Sequence, residues 1–236
     1  MRLAVLTTGA VRRRYFVECL QREFPVARVL LETRNPPPSV PTEHSLDEAR
    51  KVRERDYWYA GSPPIFNEVA ETQSFHSLND DAAVAALRDL KPDVTIVYGA
   101  GRLGEGTIAQ CGEVSLNFHN GDPEAYRGLD CHLWPLYHKD FSAIKMTLHW
   151  IEPTLDTGAI VDRRPVPLIR DMPLDDLRRA ATEVTVAMAI AALRKFDSSG
   201  KVAAKPQRQV GRYYSFMPAV LKDICIRNFG RFTANL

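Results

Sequence analysis

The sequence predicts an α/β fold in which helices cover both faces of a mostly parallel sheet. Three observations carry that expectation: short apolar runs recur from residue 3 to residue 166, segments of helical spacing separate them, and a long alanine-rich amphipathic stretch follows the last run. At 236 residues the chain is long enough to bury a substantial core. One main domain over residues 1–197 with an extension over residues 198–236 fits that length. Apolar residues make up 45% and charged residues 25%, which excludes wholesale disorder. The 31 basic and 29 acidic residues leave a formal charge of +2, too balanced to point to a nucleic-acid partner.

The first run, Leu3 to Leu6, ends at Thr7-Thr8-Gly9 and precedes Tyr15, Phe16, Cys19 and Leu20 at helical spacing. Val26 to Leu31 is apolar again, completing a strand, helix, strand unit. Residues 33–65 break the rhythm with Pro36-Pro37-Pro38, Pro41 and Pro63-Pro64. The charged segment between them, Asp47 to Asp56, predicts one exposed helix on a surface excursion or lid. The pattern resumes with a strand at Thr72 to Phe75, a helix capped by Asn79 with Val84, Leu87 and Leu90 on one face, and a buried strand at Val94 to Tyr98. A short helix near Gly106 to Gln110, a strand at Val114 to Phe118 and a helix over residues 130–139 follow, then strands at Ile144 to Trp150 and Ile160 to Val166. Leu174 to Phe196 reads as a long helix packed on the sheet. The tail is too short for its own core and is expected to dock on the main domain or on a second subunit. Together these elements make a three-layer α/β/α sandwich of Rossmann-like topology, and such sheets bind ligands beyond the carboxyl ends of their strands.

Asn117 and His119 stand two apart at a strand end, so their side chains share a face with Cα atoms about 6 to 7 Å apart. The amide can donate to a developing oxyanion and the imidazole can move protons near neutral pH, a pairing suited to acyl transfer. A histidine so placed can equally be structural. Asp156, in the turn Glu152-Pro153-Thr154-Leu155-Asp156-Thr157-Gly158, could orient His119 and favour its protonated form, or could simply stabilise its own turn.

Other features point less far. The Arg12-Arg13-Arg14 run could neutralise a diphosphate or form a solvated helix face, and Tyr57, Trp58, Tyr59 and Trp134 could stack a base or pack internally. His132, His138 and His149 show no metal spacing, and no metal site is expected. Cys19, Cys111, Cys131 and Cys225 are scattered, which fits reduced thiols in a cytoplasmic protein. The N-terminal arginines follow the apolar run, the reverse of a signal peptide, and no stretch of about 18 apolar residues predicts a membrane span.

The stretch from Leu116 to Val161 resembles the core of the formyltransferase family that uses N10-formyltetrahydrofolate. The shared features are Asn117-x-His119, a loop with Pro123 and Arg127-Gly128, the helix around Trp134, the strand from Thr147 to His149, and the closing Asp156-x-Gly158 turn. The strand from Asp93 to Tyr98 with Gly101-Arg102-Leu103 extends the likeness. The resemblance implies the formyltransferase fold, N10-formyltetrahydrofolate as cosubstrate, and a ternary complex without a covalent enzyme intermediate. It implies Asn117, His119 and Asp156 as catalytic residues. It also implies a pterin site on the backbone of Gly101, Arg102 and Leu103 and of the turn holding Glu152, Thr154 and Leu155.

Gly9, Asn120, Asp122, Arg127 and Gly128 are candidates for the acceptor side. There the chain reads Asn120-Gly121-Asp122-Pro123 where most relatives read Ser-Leu-Leu-Pro, so that loop is remodelled. The turn after the first strand lacks the Gly-Ser richness with which relatives cradle the phosphate of glycinamide ribonucleotide. The short tail does not match the second domain of relatives acting on initiator methionyl-tRNA. The block looks most like sugar-nucleotide N-formyltransferases, which act on dideoxyaminosugars for bacterial surface polysaccharides such as lipopolysaccharide O-antigen and commonly form dimers. Transfer to another small amine, formyltetrahydrofolate hydrolysis and a catalytically dead binding protein are the competing expectations.

Overall fold

The computed structural model describes residues 1–236. Chain order gives β1 (Leu3–Thr8), α1 (Val11–Gln21), β2 (Val26–Glu32), α2 (Ser45–Tyr59), α3 (Phe66–Val69), β3 (Thr72–Phe75), α4 (Asp81–Leu90), β4 (Val94–Tyr98) and α5 (Glu105–Ile108). There follow β5 (Val114–His119), β6 (Tyr126–Gly128), α6 (Trp134–His138), β7 (Lys145–Trp150), β8 (Ile160–Pro165), α7 (Leu174–Ser199), β9 (Arg212–Tyr214) and α8 (Ala219–Thr233). No helix is long and apolar enough to cross a membrane.

Seven strands form one sheet in the order β3-β2-β1-β4-β5-β7-β8. The pairs from β3 to β5 are parallel, and β7 and β8 complete the sheet antiparallel. The strand order reverses between β1 and β4, which opens a crevice at their carboxyl ends. Strand alternation divides the side chains between two layers. Leu3, Val5, Ile96, Leu116 and Phe118 enter a large core with Phe16, Val17 and Leu20 of α1 and Leu177, Met188 and Leu193 of α7. Ala4, Leu6 and Val97 enter a smaller one with Leu87 of α4 and Leu103. The α/β/α sandwich expected from the sequence is therefore the observed fold.

Several local expectations change. The helix expected over residues 130–139 shortens to α6, because Pro135 opens it and Lys139 closes it in a left-handed conformation. Asn79 does not cap α4, whose N-cap is Asp80; its side chain instead donates to the Arg102 carbonyl and accepts from the Gly104 N–H, fixing the loop after β4. The charged helix α2 is not an exposed excursion: Leu46, Arg50 and Glu54, four residues apart, form a buried stripe against α1 and α7. Spacing of i, i+4 makes one face whatever the residues are, and here that face carries charges.

Residues 200–236 contribute two features that no periodicity announced. β9 pairs in parallel with β6, and α8 packs on α6 with Cys225 and Phe229 wholly buried. α8 also pins the proline-rich segment, since Lys222 donates to the Thr42 carbonyl and to Asp47, and Ala219 N–H donates to the Pro41 carbonyl. Truncating Phe229 to alanine is expected to cost about 3–5 kcal/mol in urea unfolding. A loss within experimental error would show that α8 adds nothing to the stability of the core.

Candidate functional site

β5 places Phe118 in the larger core and turns Asn117 and His119 to the opposite face at its carboxyl end. Antiparallel pairing sets Asn117 directly across from His149 of β7, and His119 across from Thr147. Cross-strand neighbours on one face touch. The Asn117 amide Nδ2 donates to His149 Nε2 at 3.1 Å, and His149 Nδ1–H donates to the Trp150 carbonyl at 2.7 Å. The Trp150 carbonyl thereby selects the tautomer that can receive the amide. Asn117 remains half-buried, with a second N–H free to face a ligand.

Asp156 completes the group. It adopts a left-handed φ of 57°, tolerable for aspartate, and the turn closes tightly because a Cβ on Gly158 would collide with the Trp150 carbonyl. Its carboxylate is 5% exposed and lies 3.4 Å from His119 Nδ1 and 3.6 Å from His149 Nε2, and it accepts the Gly128 N–H at 2.9 Å. Burial would raise its pKa, but the charge His119 carries at acid pH, the nearby His149 ring and the Gly128 N–H outweigh it and bring the value down to about 2. His119 donates Nε2–H to the Tyr126 carbonyl at 2.8 Å. Burial pushes its pKa below the usual histidine value, and Asp156 acts against that shift without overcoming it. Asp156 thus favours the protonated form, as the sequence suggested, but burial outweighs it, so His119 rests as a free base whose protonated form finds an acceptor at each nitrogen.

The loops flanking the group are tied to one another. Arg102 donates from Nε and Nη2 to the Pro153 carbonyl at 3.2 and 2.9 Å, joining the Gly101–Leu103 loop to the turn at 152–156. Gly101 N–H donates to the buried Glu32 at 2.7 Å, and the Leu103 side chain is buried in the smaller core, leaving backbone to face the crevice. Thr157 Oγ1 donates to Glu152 and to the Thr154 carbonyl, and the Leu155 carbonyl accepts from Arg127 Nη1 at 3.0 Å.

On the other side, Gly9 is exposed and Asn120 keeps a buried Oδ1 with no partner in the chain. Asp122 is held by Lys145 at 3.2 Å and Arg163 at 2.6 Å. Gly128 has φ 94°, and a Cβ there would strike the Tyr214 carbonyl of β9. Trp58 stacks on Tyr15 at 4.3 Å, Tyr57 lies under Arg179, Tyr59 bonds Glu18, and Trp134 packs on Tyr214. Reading the sequence missed two participants. His149 sits in register with Asn117, a signal available once the β5–β7 pairing is known. Gln207 donates to the carbonyls of both Asp156 and Gly158, at 2.8 and 2.9 Å, and has no local signal at all.

The formyl transferase family model matches residues 1–193, so the chain belongs to that family. Over 132 residues it is 29% identical to methionyl-tRNA formyltransferase of Roseiflexus castenholzii. The match covers 56% of this chain and 42% of that protein, so the chain spans less than half of that curated relative. Glycinamide ribonucleotide transformylase 1 from Symbiobacterium toebii superposes with a TM-score of 0.60 at 18% identity, covering 90% of this chain and 94% of that one. The N-formyltransferase from Helicobacter canadensis, in complex with folinic acid and dTDP-3-aminofucose, superposes at 0.59 with 13% identity, covering 91% and 71%.

His119 and Asp156 both have folded pKa values below their unfolded ones, so both add stability at neutral pH that is lost on acidification. The His119 share disappears as pH falls below about 6.5, and the Asp156 share below about 3.9. The thermal midpoint is expected to drop between pH 7 and pH 5, and His119→Gln to reduce that drop. The buried His132, also held well below the usual value by burial, accounts for the remainder. An identical pH slope in wild type and variant would remove His119 from the account.

Proposed function

We propose that this chain transfers the formyl group of N10-formyltetrahydrofolate to the amino group of a nucleotide-linked dideoxyaminosugar. The observation that carries formyl transfer is the half-buried Asn117 amide, fixed by His149 and set beside the buried His119–Asp156 pair at the mouth of the crevice. The amine attacks the formyl carbon, and the free Asn117 N–H donates to the oxygen that becomes negative. His119 Nδ1, a free base at rest, takes the proton released from the attacking nitrogen, and the imidazolium is held between Asp156 and the Tyr126 carbonyl. Collapse of the tetrahedral intermediate returns a proton to the folate nitrogen and releases tetrahydrofolate. The fixed donors act without reorganising, and the two substrates are held together, which supplies proximity.

The pterin lies between the loop at Gly101, Arg102 and Leu103 and the turn at Glu152, Thr154 and Leu155, whose spacing the Arg102 bond to Pro153 sets. The acceptor occupies the side bounded by Gly9, Asn120 and the segment from Asp122 to Gly128. The aminosugar reading draws on the likeness of residues 116–161 to sugar-nucleotide enzymes and on the fold shared with a protein that binds dTDP-3-aminofucose.

Tetrahydrofolate release is the test. Release that depends on a 3-amino or 4-amino dideoxysugar linked to dTDP, UDP or GDP is expected; release without acceptor would instead make the protein a hydrolase. Asn117→Ala is expected to lower kcat by about 100- to 1,000-fold through the lost oxyanion donor. His119→Ala should lower it by at least about 100-fold with the fold retained by circular dichroism. Near-normal kcat in either variant would take that residue out of the mechanism. Asp156→Asn should lower kcat and shift its pH profile, because it removes the charge that stabilises the imidazolium.

A further inference from the structure

The arginines that follow β1 do not form the solvated face that a charge run usually makes. Arg12 and Arg13, at the start of α1, turn inward and meet Arg50 of α2 and Arg178 of α7 where the three helices pack. Arg50 is 2% exposed, and Arg12 and Arg178 retain 14% of their side-chain surface. Arg13 has no hydrogen bond or ion pair in the chain, and its guanidinium fills the space that a Cβ on Gly99, just past β4, would need.

The carboxylates nearby do not balance these charges. Glu54 is shared between Arg178 and Arg12, the latter at 4.0 Å. Asp47 is shared between Lys222 at 2.6 Å and Arg50 at 3.5 Å, and Asp130 accepts the Met217 N–H. Four guanidinium groups and the Lys222 ammonium thus face three carboxylates, an excess of two positive charges. Arg12 Nε, Arg13 Nε, and both Nε and Nη2 of Arg50 are buried donors without a partner in the chain. Such groups are rare in folded proteins, and an unneutralised buried charge is costly. Burial and the neighbouring cations push the Arg13 pKa down to about 9 and that of Arg178 to about 10. His132 is subject to the same positive field, from Arg50, Arg178, Arg12 and Lys222. Its Nε2 is buried without a partner, and it shares a small cavity with Arg178 and Asn120, the residue next to His119.

We propose that Arg12, Arg13, Arg50 and Arg178 form an interhelical site for a phosphoryl dianion, the phosphate or diphosphate of the acceptor. Its donors are guanidinium groups from three helices, in place of a backbone cradle in the turn after β1. Guanidinium forks match phosphoryl oxygens in geometry, and a dianion cancels the excess charge while accepting the orphaned N–H groups. The group enters between the two arginines that keep some exposure, Arg12 and Arg178, with Arg50 behind them. Arg13 lies against Gly99, just past β4, and β4 pairs with β5, the strand that carries Asn117. The identification of the ligand as the acceptor rests on the formyl-transfer reading; the anion site itself does not.

Binding of inorganic pyrophosphate and of inorganic phosphate to the full chain, by calorimetry and by the shift in thermal midpoint, tests the site without turnover. Pyrophosphate is expected to bind and to raise the midpoint. Phosphate binding as tightly would assign a single phosphoryl group, and weaker phosphate binding a diphosphate. Arg50→Met should weaken binding at least about 10-fold, the range of one lost charge-assisted hydrogen bond. Its unliganded midpoint should be unchanged or higher, since an unneutralised charge has gone. Arg194→Met, on an exposed ion pair with Glu23, should leave binding unaltered. If Arg50→Met does not fold, Arg12→Met serves in its place, and pyrophosphate should compete with the acceptor but not with formyltetrahydrofolate. No binding to the wild type, or equal binding to the arginine variants, overturns the site. Arginine-dependent binding with no acceptor turned over sustains the site and removes the function proposed above.

Discussion

The Asp156 carboxylate is the interaction on which the rest of this site depends. A negative charge at a nearly buried position is stable only with polar partners around it, and here they come from three separate pieces of chain: the Gly128 N–H of β6, which donates to it, and the His119 and His149 rings of β5 and β7, at 3.4 and 3.6 Å. That requirement fixes the crossing of the 152–158 turn over the sheet edge. It also explains why β6 lies where it does. The segment that delivers Gly128 to Asp156 delivers the Tyr126 carbonyl to His119, so one short strand sets the partners of both.

The C-terminal residues hold this arrangement in place without touching the side chains of Asn117, His119 or Asp156. β9 pairs with β6, the Gly211 carbonyl accepts from Arg127 at 2.8 Å, and Gln207 binds both carbonyls of the Asp156 turn. A loop whose backbone contacts His119 and Asp156 would otherwise be free to fray, because β6 is only three residues long. α8 adds a second tie by anchoring the proline-rich segment through Lys222, and so holds α2 against α1 and α7. The tail thus connects to both sides of the crevice.

The two faces of the sheet divide the chemistry. Asn117 and His119 occupy the thinner layer, where the smaller core leaves the crevice open to the loops after β4 and β7. The opposite layer, formed by α1, α2 and α7, carries the buried cationic cluster. Arg13 reaches Gly99 just past β4, the strand beside β5, while Asn117 and His119 face the other layer.

Much of this was determined by the sequence alone. Apolar runs of strand length and the alanine-rich helix specify the sandwich because hydrophobic periodicity is a local property; Asn117 and His119 were legible as a pair because they share one strand face, whereas Asp156 joined them only through the family resemblance. Residues whose partners are remote in the chain were decided only by tertiary structure. His149 became part of the site through antiparallel register, Gln207 through the path of the tail, and the protonation of His119 through burial that no spacing can report. The charged face of α2 shows the same limit most plainly: the sequence shows arginines four residues apart from carboxylates, and only packing against two other helices decides that they lie inside, where the charge must be matched.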